Sequence, residues 1–320
     1  MIRLNESFLR GSYPPLITPY RDGAVDLDSF ANLVDRQVRD GSHGVLIAGT
    51  TAEPSSLTMR ERTDLLKVAV DTVKHRIPVV AATGSQSYAE TVTLTTEAAK
   101  AGADALLVVT PYYIKPSQQG LVEYFTAIGQ QTDLPVMIYH IPGRAAVSVT
   151  AVTVERIAAR VPSLVGMKHA ANDLELVTEL LSRLGQEFRI FCGLESLSLP
   201  MLAIGGAGLM NAVGNLAPGP VAALYDAVAR GDLREAQRLH YSLFELNQSI
   251  FLDTNPIPLK YMMTRLGLLE SAELRLPLVR LDADRAKILD GVLDRAGMLQ
   301  HMSQHTSQPP SQSVEALQPA

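Results

Sequence analysis

The chain has 320 residues, 47% hydrophobic and 19% charged, with a formal net charge of −5 and one cysteine. That suffices for one large domain or two ordinary ones, and its dispersed basic residues leave no electrostatic footprint for nucleic acid. No apolar run nears the roughly 20 residues that span a bilayer, the start MIRLNESFLRG lacks a signal-peptide core, and a lone Cys192 rules out an intrachain disulfide framework, so a cytoplasmic location is expected.

In chain order, YPPLIT (13–18) reads as a strand, followed by a helical period over Leu27–Arg39 that Gly41 stops. GVLIA (44–48) precedes a helix over Met59–Lys74, opened by a Thr58/Glu61 capping box. PVVAA (78–82) precedes Tyr88–Ala101, and ALLVV (105–109) precedes Gln119–Gln131. PVMIY (135–139) precedes Val152–Ala159, and LVGMK (164–168) precedes Leu174–Leu184. RIFCG (189–193) leads to a short helix near Leu197–Ile204, and AGLMNAV (207–213) is the eighth run. Eight strand–helix alternations with nearly continuous apolar strands predict an α/β fold, a closed (β/α)8 TIM barrel over residues 1–217. An open doubly wound sheet is the alternative, but YPPLITPY lacks the glycine fingerprint that would follow its first strand.

From 218 to 300 the pattern is purely helical, with periods over Pro220–Ala229, Leu233–Leu246, Ile257–Leu266 and Asp284–Ala296. A C-terminal helical region packed on the barrel is expected. Residues 301–320, rich in Gln, Ser and Pro, read as a disordered tail. Cys192, inside the strand-like FRIFCGL, reads as a buried small hydrophobe.

A TIM barrel places its active site at the carboxyl ends of its strands. The second run ends in Thr50 and Thr51, the fourth leads to Tyr112 and Tyr113, the fifth to Tyr139 and Arg144, and the sixth ends in Lys168. Alternation puts Gly166 and Lys168 on one face, so an interior Gly166 would send Lys168 into the barrel mouth. Desolvation there favours the neutral amine, a nucleophile toward carbonyls; a lysine that snorkels to water is the other reading. Imine formation moves protons through a carbinolamine, so a hydroxyl must stand near the nitrogen. Tyr139 fits, with Thr50 and Tyr113 completing a relay. The Thr50–Thr51 turn suits a carboxylate, and Arg144 a second one.

GTTAEPSSLT, VTPYYIKPSQ, YHIPGR, GMKHA and NPIPLK, within about residues 10–298, resemble the signatures of the dihydrodipicolinate synthase and N-acetylneuraminate lyase family of pyruvate-dependent class I aldolases and lyases. The resemblance implies a barrel with a C-terminal helical region, usually a homotetramer of dimers. It makes Lys168 the Schiff-base lysine, Tyr139 its proton carrier, and Thr50 and Tyr113 the rest of the relay, with Tyr113 crossing a dimer interface. Thr51 would bind the 2-oxo acid carboxylate and Arg144 that of aspartate semialdehyde, while Gly193 and Met210 line the pocket. No cofactor and no metal are implied, and the partners are small 2-oxo acids and aldehydes. The chain departs from the synthases at His169, where glutamate is usual, and at Leu194 in CGLES. Met59, Arg62 and Gln86 replace the residues of the lysine-feedback pocket, which argues against feedback by lysine. The implied reaction is that of a 4-hydroxy-tetrahydrodipicolinate synthase. YHIPGRAA and CGLE also resemble a branch that cleaves 2,4-dihydroxyhept-2-ene-1,7-dioate, and a non-catalytic 2-oxo-acid-binding barrel is the remaining alternative.

Overall fold

The computed structural model describes residues 1–299; the tail expected to be disordered, 301–320, lies outside the described residues. Ten strands occur in chain order: β1 (Gly11–Ser12), β2 (Tyr20–Arg21), β3 (Ala24–Val25), β4 (Val45–Ile47), β5 (Val79–Ala82), β6 (Ala105–Val109), β7 (Val136–His140), β8 (Leu164–His169), β9 (Arg189–Cys192) and β10 (Gly208–Leu209). All but β2 and β3 form one parallel sheet in the order β1-β10-β9-β8-β7-β6-β5-β4. Its two ends meet: Leu16 N–H donates to Leu46 O and Leu46 N–H to Pro14 O, both at 3.0 Å, which closes the barrel. The expected (β/α)8 architecture is therefore the observed one, with helices following the sheet from Pro218 onward.

Three elements depart from expectation, the first two for evident local reasons. The first strand, expected at 13–18, is regular only over Gly11–Ser12, because Pro14 and Pro15 carry no N–H for a ladder; it still touches β4 through a bridge between Pro15 and Leu46. The hairpin β2–β3 escapes the apolar-period analysis because it is two residues a side, turning on Asp22 and Gly23 at φ +52° and +80°. The long helix expected over 233–246 is divided into Leu233–Ser242 and Phe244–Ser249. Elsewhere local chemistry fixes the ends. Thr58 and Glu61 form the predicted capping box on Met59–Val73, and Leu27–Arg39 and Leu174–Leu184 start on the side chains of Asp26 and Asp173.

The apolar side chains form two layers. Leu46, Val80, Leu107, Met137, Val165 and Phe191 fill the barrel interior, while a larger cluster packs the strands' outer faces against the helices. On β8 Leu164 and Met167 belong to the outer layer and Val165 to the inner one. That sequence breaks strict alternation, and the pairing with β7 shows why: the register shifts between Val136 and Met137, so Val165 is an extra residue, and Gly166 opposite Met137 resumes the alternation that turns Lys168 inward opposite Tyr139. Gly166 is also constrained sterically, since a Cβ there would lie 2.2 Å from the Arg189 carbonyl oxygen. Backbone cannot swing aside as a side chain can, so Gly166→Ala is expected to destabilise by about 1–3 kcal/mol through overpacking. Thermal unfolding checks this; an unchanged Tm would mean that β8 and β9 separate without penalty.

Candidate active site

Pairing of β7 with β8 sets Tyr139 directly opposite Lys168. Lys168 is only 3% exposed, and its Nζ lies 4.6 Å from the centre of the Tyr139 ring, an approach that holds the amine against a π face. The Tyr139 hydroxyl lies 3.1 Å from Thr50 Oγ1, so a phenol and an alcohol form a short chain beside the amine. Gly193, just past β9, makes room for the lysine: a Cβ there would sit 2.9 Å from Lys168 Cε. Its N–H donates to His169 O at 2.8 Å, and that of buried Met210 donates to Cys192 O at 2.8 Å, so both close the ladder around the site. Cys192 is fully buried, as its sequence context implied, and burial pushes its thiol up to about 12.

Thr50 and Thr51 open a helical turn, Thr50–Ala52, after β4. The start of such a turn leaves N–H groups without intrahelical acceptors, which suits a carboxylate. Thr18 Oγ1 donates to Ala52 O at 2.8 Å and ties the turn to the first barrel segment. Thr51 is buried, and its hydroxyl accepts from Asn255 Nδ2 at 3.0 Å. Asn255 was not singled out by the sequence reading; its only signal was its place in NPIPLK. The same segment supplies Lys260, which is fully buried and pairs with buried Glu53 at 2.5 Å. Lys260 Nζ also donates to Glu273 O at 2.8 Å and lies 4.1 Å over the Tyr20 ring. Burial pushes this ammonium down and Glu53 opposes that shift. Alongside, Arg275 grips Glu61 in a fork at 2.6 and 3.0 Å, which holds the Glu61 carboxyl down at about 2.

Above these groups opens a cleft of about 600 Å³ whose walls include Thr50, Tyr112, Tyr139, Arg144, Asn255 and Leu278. Arg144 stands in the short helix Pro142–Ala145 at the end of β7. Tyr113 is not on this wall: it is 86% exposed, at φ +70°, and Tyr112 lines the cleft instead. The chain thus gathers Lys168, Tyr139, Thr50, Thr51 and Gly193 around one point and puts Arg144 at the rim, while its own Tyr113 faces outward. Of the residues matched to the feedback pocket, Gln86 lines the cleft, Met59 is exposed, and buried Arg62 donates to Ala82 O at 2.8 Å. Glu195, beside Leu194, is a further buried group the sequence reading passed over. Its Oε1 accepts from Ala212 N–H at 2.6 Å, and burial pushes its carboxyl above the usual range.

Comparison with known proteins gives the family. A model of the dihydrodipicolinate synthetase family matches residues 8–296. The 4-hydroxy-tetrahydrodipicolinate synthase of Thermus thermophilus is 44% identical over 291 residues, covering 91% of this chain and 97% of that one. That of Aquifex aeolicus is 38% identical over 286 residues, covering 89% and 97%. Among solved structures, the dihydrodipicolinate synthase of Aquifex aeolicus superposes with a TM-score of 0.88 at 37% identity, over 90% of this chain and 98% of that one. The enzyme of Methylacidiphilum fumariolicum gives 0.88 at 36%, over 92% and 98%. With a family model spanning nearly all of it and relatives this similar along their full length, the chain belongs to the dihydrodipicolinate synthetase family.

Proposed function

We propose that the protein is a Schiff-base lyase of the 4-hydroxy-tetrahydrodipicolinate synthase type, condensing pyruvate with aspartate semialdehyde. The observation that carries this is the buried amine of Lys168 against the Tyr139 ring, with the Tyr139 hydroxyl 3.1 Å from Thr50 Oγ1. Lys168 Nζ attacks C2 of pyruvate and forms a carbinolamine. Its hydroxyl leaves as water after taking a proton from the Tyr139–Thr50 pair, and the C=N bond forms. The methyl group then loses a proton, the imine nitrogen accepts the electron pair, and the resulting enamine carbon attacks the aldehyde. Thr51 and the turn N–H groups hold the pyruvate carboxylate, with Gly193 and Met210 lining the floor. Arg144 at the rim pairs with the carboxylate of the second substrate.

The barrel of residues 1–217 carries the chemistry in this reading, and the 218–300 region braces it through Asn255 and Lys260. Tyr113 would complete the relay from a second copy of the chain, so a homo-oligomer built from dimers is part of the proposal; the exposure of Tyr113 and Ile114, 86% and 64%, supports it. A cytoplasmic setting goes with a free, buried cysteine. The test is borohydride reduction in the presence of pyruvate followed by peptide mass mapping, with the adduct expected on Lys168. A coupled assay with pyruvate and aspartate semialdehyde is run beside cleavage of 2,4-dihydroxyhept-2-ene-1,7-dioate. Turnover of only the heptenedioate would overturn the choice of substrate, and absence of any adduct would remove the imine.

A further inference from the structure

The outward faces of β7 and β8 carry a second matched pair that the reaction above does not use. His140 stands opposite His169 in the register, each one residue beyond a group of the site, Tyr139 and Lys168. Both imidazoles are buried, 2% and 0% exposed. Their rings stack with centroids 5.1 Å apart and planes 28° apart, and the two Nδ1 atoms are 3.1 Å from each other. Each Nε2 is buried without a hydrogen-bond partner among the described residues. A buried polar pair whose side chains bond to each other costs desolvation that an apolar pair would avoid, but it joins the two strands by a directed bond that apolar packing would not supply.

The place of the link along the strands indicates its role. β7 ends at His140 and β8 at His169, and the final rungs beside them are Ala170 N–H to His140 O and Gly193 N–H to His169 O, at 2.9 and 2.8 Å. Beneath, the ladder is already interrupted by the extra residue at Val165. The imidazole bond is thus a side-chain cross-tie on the outer face at the level where Tyr139 and Lys168 meet on the inner face. We infer that His140 and His169 form a positioning couple for the reaction, whose Nδ1–Nδ1 hydrogen bond fixes the height and tilt at which Tyr139 presents its hydroxyl to the Lys168 nitrogen. The inference rests on the imine reading of Lys168 and Tyr139.

The couple has a definite proton logic. An N–H···N bond between two imidazoles needs one donor and one acceptor, so the neutral pair shares one proton between the Nδ1 atoms. One added proton enters at a free Nε2 and leaves the bond intact. A second must occupy the accepting Nδ1, which destroys the bond and sets two cations side by side. Burial, then repulsion from His169, holds His140 down at about 4, and burial holds His169 below its ordinary value. Asp173, whose carboxylate also caps Leu174–Leu184, is the charged group that faces both rings. The adjacent helix Ala151–Arg160 turns apolar Val154, Ile157 and Ala158 inward.

The experiment compares wild type with His140→Phe, His169→Phe and the double variant His140→Asn/His169→Asn, in which side-chain amides occupy the Nδ1 places and do not titrate. A misplacement of the reacting groups by about 1 Å costs on the order of 100-fold, so each Phe variant is expected to lose about 10- to 100-fold in kcat with KM for pyruvate near the wild-type value. The Asn pair is expected to recover most of that loss at neutral pH and to hold its kcat to lower pH than wild type, whose activity declines as the pH falls toward about 4. Phe variants with wild-type kcat and pH profile would overturn the couple. So would an Asn pair no better than either Phe variant; should the Phe variants fail to fold, the pH profile of the Asn pair against wild type decides alone. Borohydride trapping with pyruvate is run on every protein. No adduct in wild type sinks the imine reading itself, whereas a wild-type adduct with unaltered variants sinks only the couple.

Discussion

Lys168→Met is expected to abolish condensation, lowering kcat by on the order of 10⁴-fold or more, while the protein keeps its fold. Methionine retains the stem that packs beside Gly193 and the Tyr139 ring and removes only the amine, so no bond to C2 of the 2-oxo acid can form. Loss of the nucleophile removes the covalent route entirely, and losses of this order follow when such a group is deleted from a unit that acts together. Lys168→Arg is expected to be equally inactive, because a guanidinium stays protonated and forms no imine. Tyr139→Phe separates the two roles. It keeps the ring but deletes the hydroxyl that reaches Thr50, so kcat should fall by about 10²- to 10⁴-fold, the usual contribution of a positioned acid or base. Borohydride should still trap pyruvate on Lys168 in this variant, only more slowly. Steady-state kinetics with trapping on the three variants checks the set; residual activity of Lys168→Met within tenfold of wild type would place the nucleophile elsewhere.

How much of this was legible in the sequence depends on the distance between the groups concerned. Lys168 and Tyr139 each end an apolar run, and period-2 alternation with adjacent parallel strands was enough to bring them together. Alternation holds from Gly166 to Lys168 and fails one step earlier: Leu164 packs outward because an extra residue, Val165, absorbs a register shift, which no periodic pattern displays. The barrel was legible because its eight repeats are local, whereas the first strand was misjudged where two prolines replace ladder donors with a single bridge. Asn255 lies 204 residues from Thr51 and yet bonds its hydroxyl, and Glu53 meets Lys260 across a similar span. Such pairs have no local signature; they exist because the C-terminal helices return over the mouth. Tyr113 is the reverse case, a residue whose assigned part cannot be played within its own chain. The parity of His169 was readable, but its partner His140 emerged only once the two strands were in register.

Breaking the pair of Glu53 with Lys260 should have a large effect on stability. Both side chains are essentially unexposed, at 1% and 0%, and breaking a buried pair by removing one partner costs about 3–5 kcal/mol, because the other charge is left uncompensated. The two halves are not equivalent. In Glu53→Gln, Lys260 keeps the Glu273 carbonyl and the face of Tyr20, so the loss belongs at the lower end. In Lys260→Met, Glu53 is left with little beyond the Arg275 backbone N–H at 3.4 Å, so the loss belongs at the upper end. Combining Glu53→Gln with Lys260→Met removes both charges and should restore most of the stability. It should not restore the site: Glu53 closes the Thr50–Ala52 turn in a left-handed conformation, and without its tether the turn proposed to hold the pyruvate carboxylate is less fixed. The double variant is thus expected to unfold near the wild-type denaturant midpoint and yet to bind pyruvate more weakly. Denaturant unfolding and KM for pyruvate, measured on the three variants, check both halves. Single variants with wild-type midpoints would show that the pair contributes nothing to the fold.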